Sequence, residues 1–75
     1  MKDIRKIVSD NIKHYRKIKN ISQEQLAFLT GLHRTYISSV ECKNRNISIE
    51  SLSKIAESLE VEPYKLLVER TNEDE

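Results

Sequence analysis

Arg34, Thr35, Ser38 and Ser39 sit at the one- and four-residue steps that share one face of a helix. Such a face carries a guanidinium and three hydroxyls, groups suited to planar, acceptor-rich edges and to anionic oxygens. A guanidinium near the start of the helix matches the O6 and N7 acceptors of a guanine edge, a pairing typically worth ~1–3 kcal/mol of discrimination. Thr35 can offer its methyl to thymine or its hydroxyl to a base or phosphate. Ser38 and Ser39 lie one turn further on, and one of the two is expected to reach a phosphate or base edge. Gln23 precedes them at the start of another helical stretch, where its amide and the neighbouring backbone N–H groups can hold a phosphate with help from the helix dipole. Asn44, Arg45 and Asn46 follow in a polar connection that can meet a nucleic-acid backbone. Tyr36 can either pack beside the turn or extend its hydroxyl to a phosphate or base. His33 reads as a first-turn surface residue or phosphate neighbour, because no second His, Cys or paired carboxylate stands at ligand spacing.

The segment Ser22–Glu41, SQEQLAFLTGLHRTYISSVE, must hold these groups in place. Ala27 sits four residues before Gly31 and Ile37 six after it. A small residue lets two helices approach, glycine accepts the positive φ of a tight turn, and a branched apolar residue closes the small core between them. This is the pattern of a helix-turn-helix, whose second helix is built to enter a DNA major groove.

The other elements follow from apolar periodicity. Over Lys2–Lys19, Ile4, Ile7, Val8, Ile12, Tyr15 and Ile18 form one stripe, with Lys6, Lys13, Arg16, Lys17 and Lys19 elsewhere on the helix, and Asn20 and Ile21 close it. Ser22 and Gln25 make a capping-box pattern for the second helix, whose buried face is expected to be Leu26, Ala27 and Leu29. The third helix should run from about His33 to Glu41 with Ile37 and Val40 inward. Ser48 is a plausible N-cap for a fourth helix with Glu50 near its positive end and Ile49, Leu52, Ile55, Ala56 and Leu59 as its stripe. Pro63 suits the first turn of a fifth helix with Tyr64, Leu67 and Val68 on its apolar side. The expectation is an all-α, compact five-helix domain over residues 1–70, followed by an acidic, disordered tail over 71–75.

Composition limits what this domain can be. Seventy-five residues bury only about 60% of their unfolded surface, so self-association is a common remedy. The lone Cys42 forms no internal disulfide, and no Cys/His cluster has zinc spacing, so neither metal nor other cofactor is implied. There is no apolar run of membrane-spanning length and no signal peptide ahead of the first helix, which implies a cytoplasmic protein with no membrane partner. The net charge of +1 hides a division: residues 1–45 carry ten Lys/Arg against four Asp/Glu, and residues 46–75 carry three against eight. A basic front and an acidic back suit a polyanion binder with a separate assembly surface. Because the acids lie mostly away from the basic front, a nuclease or other enzyme is not expected.

Taken together, Ser22-Gln23, Leu26-Ala27, Gly31-Leu32, Ile37-Ser38, Glu41 and the segment Ser48–Leu67 resemble the Cro/C1-type, XRE-like helix-turn-helix regulators, whose fold is lambda-repressor-like. Within that family, His33–Ser38 followed by Glu41 and Arg45-Asn46 is similar to the controller proteins of restriction–modification systems. One departure is Cys42-Lys43, where the family often carries a polar residue and glycine. The resemblance implies that Arg16, near the end of the first helix, pairs with Glu41 at the end of the third. It further implies a transcriptional regulator that controls its own promoter and a neighbouring restriction gene.

The expectation is therefore a sequence-specific DNA-binding homodimer on a near-palindromic operator. Gln23, His33, Arg34, Thr35, Tyr36, Ser38, Ser39, Asn44, Arg45 and Asn46 would meet double-stranded DNA, and Tyr64, Leu67 and Val68 would anchor the dimer. RNA polymerase is a further partner when the regulator activates. The alternative is a DNA-binding antitoxin or other protein-interaction module on the same fold, for which only Thr71–Glu75 is available as a partner-binding tail. The charge division makes one prediction: affinity for a duplex falls steeply between low and high salt through counterion release. A nearly flat response in a fluorescence-anisotropy titration would rule out phosphate-led binding.

Overall fold

The computed structural model describes residues 3–42 and 45–70. Four α-helices and one short 3-10 turn follow in order: α1 Ile4–Ile18, α2 Gln23–Thr30, α3 Arg34–Glu41, α4 Ile49–Leu59, and the turn Pro63–Leu66. The expected fifth helix is that turn. Pro63 occupies its first position, and four residues leave no length for α-helical hydrogen bonding to propagate. The expected 71–75 tail, together with Asn44, lies outside the described residues.

Local chemistry sets each boundary. Asp3 caps α1 by accepting from the Arg5 N–H. Ser22 and Gln25 form a reciprocal capping box at α2, with Ser22 Oγ accepting from Gln25 N–H at 3.0 Å and Gln25 Oε1 accepting from Ser22 N–H at 2.7 Å. Ser48 caps α4 through the Ser51 N–H. Gly31 ends α2 at φ +75°, and its N–H donates to Ala27 O. Thr30 reinforces that turn: its hydroxyl contacts Leu26 O and Ala27 O at 2.9 and 3.2 Å, and its oxygen accepts from Leu32 N–H at 3.2 Å. α4 ends at Glu60, also in the left-handed region at φ +60°. There a hydrogen bond from Lys19, with its charge, holds the Glu60 carboxyl below the usual carboxylate range.

All five elements meet in one core. Val8 and Ile12 of α1, Leu26 and Ala27 of α2, Ile37 and Val40 of α3, Leu52, Ile55, Ala56 and Leu59 of α4, and Leu66 of the 3-10 turn form a single buried cluster. The helices α2 and α3 pack on each other, α1 crosses α3, and the 3-10 turn closes against α4 and α1.

Several apolar residues depart from the expected stripes. Leu29 is 55% exposed, and the inward position on α2 belongs to Thr30, which lies three and four residues beyond Ala27 and Leu26. The buried arc of α2 is Leu26, Ala27 and Thr30, and it excludes Phe28 and Leu29. Ile4 and Ile18, at the two ends of α1, project beyond the elements that could cover them. Ile49 is the first residue of α4 and is 84% exposed. In the 3-10 turn the side chain three residues after Pro63 faces inward, so Leu66 is buried while Tyr64, Leu67 and Val68 stay exposed.

An added Cβ at Gly31 would meet nothing within 4 Å, so backbone conformation is the whole cost of a substitution there. Gly31→Ala is expected to lower stability by about 1–2 kcal/mol, and Gly31→Asn by less, because asparagine tolerates the left-handed region. Denaturant midpoints of the two variants test the ordering.

Candidate nucleic-acid interface

The orientation of α3 rests on one buried carboxylate. Glu41 is the last residue of α3, and its side chain is only 2% exposed. Arg16 meets it with two parallel bonds, Nε to Oε2 at 2.9 Å and Nη2 to Oε1 at 3.0 Å. Gln23 donates from Nε2 to the same Oε1 at 3.0 Å. The remaining guanidinium nitrogen, Nη1, donates to Ile21 O at 2.9 Å in the link between α1 and α2. From the other side, the buried Ser9 hydroxyl donates to the Glu41 carbonyl at 2.6 Å. One residue thus joins the end of α3 to α1, to the α1–α2 link and to the first residue of α2. A bidentate guanidinium–carboxylate pair is geometrically selective, so the network restricts rotation of α3 as well as holding it.

With its inner side so anchored, α3 presents Arg34 and Thr35 exposed, with His33 exposed at its N-cap, and Ser38 and Ser39 half-exposed one turn later. His33 is the N-cap residue but makes no side-chain capping bond. Ser39 donates its hydroxyl to Thr35 O at 2.8 Å, so in this rotamer it offers a partner only an acceptor. Ser38 is therefore the better placed of the two serines to donate outward.

Tyr36 is half-buried against the core. Its hydroxyl accepts from Ser48 N–H at 3.4 Å, tying α3 to the cap of α4. Arg45 lies over its ring, with the guanidinium carbon 5.1 Å from the centroid. Of the two roles open to Tyr36, the geometry favours packing: the ring supports Arg45 and leaves the guanidinium at the surface. Gly31, Leu32, His33, Thr35, Tyr36 and Arg45 line a shallow groove beside α3. Asn46 is exposed beyond Arg45. Gln23, half-exposed, stands at the start of α2 with one amide N–H given to Glu41 and a second left over by its chemistry.

The sequence reading overlooked two polar residues that complete the frame, Ser9 and Asn11, both fully buried on α1. The available signal was their type. They are small and uncharged, they flank Val8 and Ile12, and the rest of that helix surface is charged. Among the described residues no group of His, Cys, Asp and Glu is arranged to hold a metal ion. No helix there is long and apolar enough to cross a membrane.

Two short helices meeting at a left-handed glycine, with a polar, exposed outer face on the second, define a helix-turn-helix protein. The chain belongs to the helix-turn-helix family, whose pattern matches residues 12–66. It is 51% identical over 65 residues to control protein C.SmaI of Serratia marcescens, a match covering 87% of this chain and 77% of that one. The fold is similar to the hypothetical transcription factor NHTF from Neisseria at a TM-score of 0.87 and 42% identity, covering 89% of this chain and 77% of that one. It is also similar to the restriction–modification controller protein C.Esp1396I, determined as a tetramer with its natural 35-base-pair operator. That match has a TM-score of 0.79 and 39% identity and covers 88% and 87% of the two chains.

Removing one partner of a buried pair leaves the other charge unpaired, typically at ~3–5 kcal/mol. Arg16→Ala is therefore expected to destabilise the protein strongly, and Glu41→Ala to add little once Arg16 is gone. A double-mutant cycle by denaturation that gave additive effects would mean the two side chains do not act together.

Proposed function

We propose that this protein is a sequence-specific, DNA-binding transcriptional regulator of the restriction–modification controller type, acting as a homodimer. The observation that carries the proposal is the exposed outer face of α3, held by the Glu41 network with His33, Arg34, Thr35 and Ser38 outward and Arg45 braced beside them on Tyr36. α3 would enter the major groove with Arg34 reading a guanine edge and Thr35 a neighbouring base. Gln23 and Arg45 would flank it on the phosphates, aided by the uncapped first turn of α3 at His33. Asn46 and Asn44 would extend the backbone contacts. Two recognition helices in successive major grooves would read half-sites about one turn, ~34 Å, apart. Likeness to restriction–modification controller proteins supports the further proposal that it controls its own promoter and a neighbouring restriction gene.

The dimer surface proposed here is wider than Tyr64, Leu67 and Val68. Ile4 and Ile49, residues that periodicity assigns to the core, are left bare at 50% and 84% exposure. They line one apolar groove with Leu67, Leu52 and Val40, and a second copy of the chain would cover it. When the regulator activates transcription, the outer face of α2, with Phe28 86% exposed, remains available to RNA polymerase. Binding without catalysis and a cytoplasmic location complete the reading.

Two comparisons test it. Arg34→Ala should cost roughly 1–3 kcal/mol on the cognate site and flatten the preference at one base pair of each half-site. Arg45→Ala should weaken cognate and non-cognate duplexes by similar factors and reduce the salt slope by about one unit. Titration against single-base operator variants at two salt concentrations separates the roles, and an unchanged base ranking in Arg34→Ala would move sequence reading to Thr35 and Ser38. Leu67→Asp should shift the protein toward monomer in sedimentation. A folded variant that stays dimeric would place the interface elsewhere.

A further inference from the structure

Asn11 is 1% exposed in the middle of α1, a position where an uncharged polar side chain requires partners. It has three, all on the C-terminal segment more than fifty residues away in sequence. Its Nδ2 donates to Leu66 O at 3.0 Å and to Val68 O at 2.8 Å, which uses both amide protons. Its Oδ1 accepts from Arg70 Nε at 3.1 Å. Two of these bonds satisfy carbonyls at the end of the 3-10 turn, the groups that a helical segment leaves without partners at its C-terminus. Residues 67–70 belong to no helix or strand and so have no hydrogen-bond ladder of their own to set their path. Leu66, 0% exposed, anchors the segment by burial, which is non-directional, and the Leu67 N–H donates to Tyr64 O at 2.9 Å, a bond that sets the backbone only as far as Leu67.

We propose that Asn11 is the positioning residue for self-association: by holding the Leu66 and Val68 carbonyls it fixes the direction in which Leu67 and Val68 leave the core. The inference rests on the dimer surface proposed above and assigns its geometry to a side chain that does not itself reach the surface. Leu67 lies between the two carbonyls that Asn11 grips, so its side chain has little choice of exit and lines the same groove as Ile4 and Ile49. The chemistry is specific to a carboxamide. A carboxylate of the same size would still accept from Arg70 but would oppose two carbonyl oxygens, and a leucine would bury both carbonyls without a donor.

The test is Asn11→Asp in the full chain, with Leu67→Asp in parallel. Sedimentation equilibrium reads self-association, far-UV circular dichroism reads folding, and amide hydrogen exchange reads the 67–70 segment. The expected result is a folded variant whose association constant falls by about tenfold or more, with faster exchange confined to the C-terminal segment. Should Asn11→Asp fail to fold, Asn11→Ser, which keeps one donor, takes its place and is expected to show the same losses to a smaller degree. If Leu67→Asp dissociates the dimer but the folded Asn11 variant associates like the wild type, the positioning role is overturned and the dimer surface stands. If Leu67→Asp remains dimeric, the dimer surface itself is overturned and the role of Asn11 falls with it.

Discussion

The carboxylate of Glu41 is the point on which the rest of the domain depends. A buried carboxylate is costly to remove from water, and it is tolerated only where its lone pairs are met. Here Arg16 meets it twice and Gln23 once, and the two donors come from different parts of the chain, Arg16 from α1 and Gln23 from the start of α2. A hydrophobic contact of similar size would hold the same elements together, but it would permit them to rotate against one another. The two-pronged guanidinium does not. Since the outer residues of α3 are useful only if they face one direction together, the network trades stability for orientation.

A second brace works from the other end of the same helix. Tyr36 joins α3 to the cap of α4 through Ser48, and its ring carries Arg45. The arginine stands in a segment without regular structure, where a long side chain has many rotamers available. Stacking on the ring restricts it before any ligand arrives, which lowers the ordering cost of a later contact. Exposure and support are thus divided between neighbours on one helix: Arg34 and Thr35 point out, while Tyr36 packs in and steadies a residue from elsewhere.

Much of this could be read from residue types and spacing. The Ala27–Gly31–Ile37 pattern located the turn, and Ser22 with Gln25 located the start of α2, because these features are local and each has a single geometric cause. The failures occurred where the end of an element or a distant neighbour decides the outcome. Ile4, Ile18 and Ile49 follow the apolar period correctly, yet they sit at helix ends where nothing remains to cover them. Leu29 follows the apolar spacing of α2, yet the inward position beside Leu26 and Ala27 goes to Thr30. The segment after Pro63 has α-helical periodicity but only four residues of 3-10 geometry, which moves burial from Leu67 to Leu66. Ser9 and Asn11 showed only in their type, small uncharged residues beside Val8 and Ile12, and their partners and the Gln23–Glu41 bond did not show, since a polar side chain buried by tertiary packing has no periodic signature. The contacts assigned to DNA and to a second copy rest on exposure and geometry, and no signal in one chain specifies the operator they would read.

The bare apolar groove of Ile4, Ile49 and Leu67 has a consequence for timing. In the proposed dimer, occupancy of an operator at low abundance rises with the square of the protein's concentration, because two chains must meet before two half-sites can be filled together. Freshly made protein would then be almost inert until synthesis outruns dilution, and doubling its amount would roughly quadruple its effect. By mass action the uncovered monomer would also be the less stable form, so scarcity and instability would reinforce each other. The same three side chains that cost the isolated domain some of its burial would thereby act as a delay, separating the moment the protein is first made from the moment it takes effect.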